Sequence, residues 1–113
     1  MTLVLALDKL RGSGIAALFE GHRHAEPIDL SCFVTEAPTG RGPVLHKHPY
    51  AEVFVVQEGE ATFTAGDDEL VVTGGHIVVV PRETPHRFEN TGDGTLRVVS
   101  IHPSGKVQQT DLE

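Results

Sequence analysis

The 113 residues predict an all-β fold, an antiparallel sandwich or barrel of short strands, and three observations carry the prediction. The residue bias is toward strands, with 14 Val, 10 Thr and 4 Ile against 8 Ala; β-branched side chains lose rotamer freedom in helices and pack well on a pleated surface. Short apolar runs recur at even spacing along the chain, and Gly, Pro and Asp separate them. Such a pattern reads as a sandwich or barrel, and the runs are too short and broken for βαβ units.

Taken in order, only Ile15 to Glu20 has a helical reading. Ile28 to Thr35 alternates in part and is broken by Pro38-Thr39-Gly40-Arg41-Gly42-Pro43. Val53 to Val56 follows, and Gly59-Glu60 turns the chain into Ala61 to Ala65. Gly66-Asp67-Asp68 is a compact hairpin signal leading to Leu70 to Thr73. Gly74-Gly75 precedes Ile77 to Val80, which Pro81 closes. Thr91-Gly92-Asp93-Gly94 separates His86 to Asn90 from Leu96 to Ile101.

Length and composition bound the function. The chain, residues 1–113, fits one domain with one core. A hydrophobic share of 39 %, to which twelve glycines add, is that of a globular protein and excludes disorder. The formal charge is −7 and the nine basic residues are scattered, so no stretch tracks a phosphate backbone or an anionic membrane; neither nucleic acid nor membrane is an expected partner. Cys32 is the only cysteine and forms no intrachain disulfide; it reads as a small buried hydrophobe. The N-terminal run Leu3-Val4-Leu5-Ala6-Leu7 lacks a basic region before it and ends at Asp8-Lys9, unlike a secretion signal. No window reaches the ~20 apolar residues of a membrane span, and a cytoplasmic protein is the expectation.

Seven histidines are many for this length, and their placement matters more than their number. His46 and His48 stand one residue apart, a spacing that puts both on one face of a strand about 7 Å apart. Pro49 suggests a bulge or strand end, and Glu52 resumes with the same parity. A carboxylate joining two imidazoles suits a divalent first-row metal. Alone, the His-x-His pair reads equally well as surface polar residues. No His-Glu-x-x-His exists in the chain, which excludes a zincin.

At this point the sequence resembles the cupins. Gly40-(x5)-His46-x-His48-(x3)-Glu52-(x6)-Gly59 matches every fixed position of the first cupin motif. Gly75-(x5)-Pro81-x-Glu83-(x2)-His86-(x3)-Asn90 matches the second at four of five positions. The resemblance spans residues 40–90 and implies a single-domain cupin, an antiparallel jelly-roll β-barrel. It also implies that His46, His48, Glu52 and His86 hold one divalent transition metal (Fe, Mn, Ni, Co or Zn). The one departure is Glu83 in place of the motif Gly. If that turn demands a left-handed residue, Glu is disfavoured there by roughly 1–2 kcal/mol; the expectation is instead a turn built differently, with Pro85 stiffening the approach to His86.

Other residues have a functional and a structural reading. Phe54 shares parity with Glu52 and Phe88 with His86, so both are pocket candidates, equally readable as barrel packing. Tyr50 either reaches a substrate or sits on the surface rim, the latter slightly favoured. His22, His24 and His102 read as surface histidines, and His76 has no assigned role. The resemblance leads to three functional readings: a metal-dependent oxygenase of the dioxygenase type acting on a small organic molecule, a non-redox isomerase, lyase or cyclase, and a small-ligand-binding module without chemistry. The non-redox reading needs an acid or base beyond the ligands, for which only Tyr50, His76 and His102 are available. No DNA-binding helix pair is read in the chain, which argues against a transcription factor. Strand edges and the apolar N-terminal run predict a homodimer, and small cupins are commonly dimers.

Overall fold

The computed structural model describes residues 2–113. Ten strands form two five-stranded antiparallel sheets. The first sheet takes the order β1-β2-β9-β4-β7, with β1 at Ala16–Glu20, β2 at Ser31–Ala37, β9 at Leu96–His102, β4 at Glu52–Glu58 and β7 at His76–Val80. The second takes the order β10-β3-β8-β5-β6, with β10 at Thr110–Asp111, β3 at His46–Lys47, β8 at His86–Asn90, β5 at Glu60–Ala65 and β6 at Asp68–Thr73. This is the predicted jelly-roll barrel, and every apolar run from Val53 onward became a strand. No helix among the described residues is long and apolar enough to cross a membrane.

The core follows the period of two. Along β9 the inward residues are Leu96, Val98, Ser100 and His102; along β4 they are Glu52, Phe54 and Val56. Phe54, Val56, Phe63, Phe88, Leu96 and Val98 form one buried cluster with Ala37, Ala61 and Val80. Phe54, Phe63 and Phe88 meet in mutual contact, with Phe54 edge-on to both (ring centroids 5.1 and 5.8 Å). Apolar packing therefore fills one part of the space between the sheets. The polar residues Glu52, Ser100 and His102 mark where it gives way to the site.

The Gly66-Asp67 turn links Ala65 to its partner Asp68 as a two-residue hairpin, and Gly66 supplies its positive φ of 58°. Gly42 is required for another reason. A Cβ there would lie 1.9 Å from the Phe88 carbonyl oxygen, so only glycine lets this loop pass against β8. Asn90 of the second motif is buried and fully satisfied: its amide donates to the carbonyls of Ala37 and Gly94 and its oxygen accepts from the Gly92 N–H.

Three expectations are corrected here. Ile15 to Glu20 is not helical; Ala16–Glu20 pairs along its length with Ser31–Thr35, and this tertiary pairing overrides the helix preference of Ala-Ala-Leu. The one α-helix among the described residues, α1, lies earlier at Leu7–Arg11, with an Arg11–Asp8 ion pair of 3.2 Å. The turn before His86 does use the left-handed region, since Glu83 has φ 62°. It is fixed there because the Glu83 N–H donates to the His48 carbonyl at 2.7 Å, with Lys47 paired to its carboxylate at 3.4 Å. Cys32 is half-buried in β2, and burial pushes its thiol pKa up.

Candidate metal centre

The site is built where the two sheets face each other. His46 on β3 lies directly opposite His86 on β8 in the second sheet. His48 follows at the end of β3, and the chain then crosses to the first sheet, where Glu52 opens β4. The nitrogen and oxygen donors of His46, His48, Glu52 and His86 lie within 4.8 Å of one another, and all four residues are buried. Pairing across β3 and β8 and the crossing between sheets bring these side chains together.

Backbone carbonyls set the tautomers. His46 Nδ1 donates to Val44 O at 2.6 Å, His48 Nδ1 to Gln108 O at 2.8 Å, and His86 Nδ1 to Thr84 O at 2.8 Å. A carbonyl only accepts, so each Nδ1 carries the proton and each neutral ring presents a bare Nε2. Donation of the second nitrogen to a carbonyl is how metal-binding histidines are oriented. The Nε2 atoms of His48 and His86 both lie 3.0 Å from Glu52 Oε1. Two lone pairs that close to one carboxylate oxygen repel unless a positive charge sits among them. The buried His48 Nε2 has no aligned hydrogen-bond partner. The donor set therefore fits a divalent cation, and a proton is its only rival.

The electrostatics agree. Burial acts to raise the Glu52 pKa, but the His102, His48 and His86 rings, with nitrogens 3.1, 3.0 and 3.0 Å from its oxygens, outweigh it and hold the carboxyl well below its usual range. Burial acts to lower the His48 pKa, and the Glu52 carboxylate together with the Gln108 carbonyl more than offsets this, raising it. Burial is the largest influence on His46 and lowers its pKa, with His86 and His48 adding to the effect.

A cavity of about 420 Å³ opens beside this cluster. Phe54 and Phe88 form part of its wall with Ile15 and Phe33, so the two phenylalanines serve both as core packing and as pocket lining. Tyr50 does not line it. Its hydroxyl turns inward to His102 Nδ1 at 2.7 Å, which corrects the rim reading. His76 is exposed, its Nδ1 tied to Thr73 O, away from the cluster.

His102 is the residue that sequence reasoning missed. Expected on the surface, it is 1 % exposed, lines the cavity, and places Nε2 3.1 Å from Glu52 Oε2. A signal existed: His102 continues the inward parity of Leu96, Val98 and Ser100, and the β4–β9 register puts it opposite Glu52. Of the other two, His22 is exposed as expected, and His24 is half-buried, stacked on Phe19 with ring centroids 5.0 Å apart.

Comparison with known proteins places this geometry. An uncharacterized protein of Methanocaldococcus jannaschii is 32 % identical over 77 residues, 66 % of this chain and 62 % of that protein. Protein SchB of Streptomyces halstedii is 38 % identical over 55 residues, 48 % of this chain and 40 % of that one. The HTH-type transcriptional regulator PuuR of Escherichia coli is 32 % identical over 56 residues, 50 % of this chain and 30 % of that one. The chain thus spans less than two thirds of the length of these relatives. Among solved structures, oxalate oxidase in complex with the substrate analogue glycolate superposes with a TM-score of 0.74 at 20 % identity, over 87 % of this chain and 55 % of that one. Oxalate decarboxylase of Bacillus subtilis, with its Mn(II) centres, does so at 0.78 and 19 %, over 86 % and 27 %. At these identities the likeness is one of fold. The family model for the cupin domain matches residues 32–102, and the chain belongs to the cupin family.

Proposed function

We propose that this protein is a metal-dependent oxygenase of the dioxygenase type, acting on a small organic molecule. The observation that carries the reading is a buried three-histidine, one-carboxylate donor set, with every imidazole oriented by a backbone carbonyl, on the wall of a cavity of about 420 Å³. A redox-active divalent ion held there supplies electron transfer to dioxygen and Lewis acidity toward a substrate oxygen. The chain's own residues do the rest. His46, His48 and His86 present neutral Nε2 atoms, and Glu52 supplies the single negative charge, leaving a net charge near +1 with a divalent ion. Phe54 and Phe88 take the apolar part of the substrate and keep water from the reacting end. The fold shared with oxalate oxidase and oxalate decarboxylase supports a small substrate rich in oxygen.

The test is oxygen consumption by the iron(II)- or manganese(II)-loaded protein against oxalate, diketones, catechols, thiols and flavonols, with Glu52→Ala as control. Uptake by wild type that vanishes in the variant is expected, and none should occur with zinc, which has no redox chemistry. One observation favours a second reading, a non-redox isomerase or lyase using the metal as Lewis acid: His102 places a proton-bearing ring in the cavity lining. Anaerobic turnover with zinc would select it.

We also propose a homodimer. Leu3, Val4, Leu5 and Leu7 are exposed, as are Leu70 and Val71 on β6 and Ile77 and Val79 on β7. β6 and β7 are the outer strands of their two sheets and border one shared groove, so a second copy would cover two open edges together. Light scattering should give twice the 12.2 kDa chain mass at micromolar concentration; the chain mass itself would overturn the proposal.

A further inference from the structure

Outside the four-residue cluster lies a second group of polar contacts, centred on His102 and reaching the C-terminal segment. His102 Nε2 faces Glu52 Oε2 at 3.1 Å, and it is buried without an aligned partner of its own. Its Nδ1 meets the Tyr50 hydroxyl at 2.7 Å, and that hydroxyl accepts from the Gln108 N–H at 3.2 Å. The Gln108 N–H can only donate, so the Tyr50 oxygen accepts there and its own proton is free to go to His102 Nδ1. A neutral His102 that accepts it carries its proton on Nε2, the atom 3.1 Å from the carboxylate. The same residue accepts, through its carbonyl, the Nδ1–H of His48.

The segment that carries Gln108 is itself anchored. Val107 N–H donates to Glu20 Oε2 at 3.0 Å, Ser31 Oγ to Ser104 O at 2.7 Å, and His22 N–H to Gly105 O at 2.9 Å. Arg23 in turn fixes Glu20 at 2.8 Å. One residue, Gln108, on a segment held by Glu20 of β1, Ser31 of β2 and His22 between them, thus contacts a cluster histidine directly and the cluster carboxylate through two side chains.

We propose that His102, relayed by Tyr50 from the Gln108 backbone, is a positioning residue that holds Glu52 Oε2 and so keeps Oε1 turned toward the metal with the three histidines. The proposal rests on the reading of the cluster as a metal centre. Without the donor on Oε2 the carboxylate is free to rotate and to offer both oxygens to the ion, which alters affinity and ligand field together. Glutamine can reproduce the role, since its amide donates to Glu52 while its oxygen accepts from Tyr50; leucine fills similar space and does neither.

The experiment titrates wild type, His102→Leu, His102→Gln and Tyr50→Phe with Mn(II) and Co(II) at pH 7.5 against a competing chelator. It also records the Co(II) visible spectrum and the Mn(II) electron paramagnetic resonance. His102→Leu should bind about 10–100-fold more weakly, the range for loss of such an outer partner, with altered spectra. His102→Gln should keep most of the affinity and the wild-type spectra, and Tyr50→Phe should show a smaller change of the same kind as leucine. Wild-type affinity and spectra in His102→Leu overturn the proposal, as does a His102→Gln that folds normally yet falls as far as leucine. Should His102→Leu not fold, Tyr50→Phe decides: unchanged affinity and spectra overturn it. A wild-type protein that takes up neither ion overturns the metal reading and this one together.

Discussion

Removing the metal while varying the pH tests the site through the stability of the whole molecule. An ion that binds only the folded state at a hundred times its Kd stabilises it by about 2.7 kcal/mol. With an unfolding entropy of about 2.1 cal/mol/K per residue, the 113-residue chain gains ~11 °C in Tm. The pH dependence follows from the individual groups. Glu52 is held below the usual carboxylate range and stays charged throughout, and the lowered pKa of His46 keeps it neutral into acid. His48 has a raised pKa, so a proton competes with metal for its Nε2 already above the ordinary value of about 6.5. Each pH unit below that pKa costs about tenfold in affinity, ~1.4 kcal/mol. In the metal-free protein the two histidines act in opposite directions: the raised pKa of His48 contributes stability that is full below the unfolded value and lost as pH rises through the folded one, while the lowered pKa of His46 removes stability as pH falls below its unfolded value. Acid therefore weakens the holo form through competition for the ligand nitrogens. Between pH 7.5 and 5.5, scanning calorimetry with and without chelator should see the metal-induced shift fall by half or more, to ~6 °C or less. A Tm indifferent to chelation at pH 7.5, or a margin that holds or widens at pH 5.5, would refute the reasoning.

Other outcomes follow from single contacts. His86→Ala should lower metal affinity by more than the ~10–100-fold typical of an outer partner, while His76→Ala, exposed and tied only to Thr73, should leave it unchanged in a chelator titration. Gly42→Ala drives a Cβ to 1.9 Å from a β8 carbonyl that cannot move aside, and should lower stability in urea by about 1–3 kcal/mol. Glu83→Gly should be more stable than Glu83→Ala by about 1 kcal/mol, because both remove the Lys47 ion pair but only glycine occupies φ 62° without strain.

How much of this was legible in the chain depends on whether the deciding interaction is local. The strands from Glu52 to His102 could be read because each is short and bounded by turn residues, and all but His86–Asn90 carry β-branched residues. Alternation along β9 reports burial directly, since every second residue faces the opposite sheet. Ala16–Glu20 could not be read in this way. Its alanines and leucine carry no strand signal, and only its register against Ser31–Thr35, eleven or more residues on, makes it one. Glu83 illustrates a different limit: the motif position asks for a left-handed residue, and the force that holds one there is a backbone bond to His48, thirty-five residues away.

The site divides along the same line. The four cluster residues sit at fixed spacings because each inherits its place from a strand end, and a spacing is a local quantity. His102 and Gln108 have no spacing to the motifs that means anything by itself; they arrive through the β4–β9 register and the anchoring of residues 104–108 by Glu20 and Ser31. Parity along β9 was enough to place His102 inside, beside Ser100. What it could not tell is which group His102 would meet there. That follows only when Val53 is paired with Ile101, for the next step along the two strands sets Glu52 against His102. The donors are thus a property of the motifs, and their orientation a property of the sheet that joins those motifs to the C-terminal third of the chain. Changes in that third, at residues no motif contains, should therefore alter the centre without removing a single ligand.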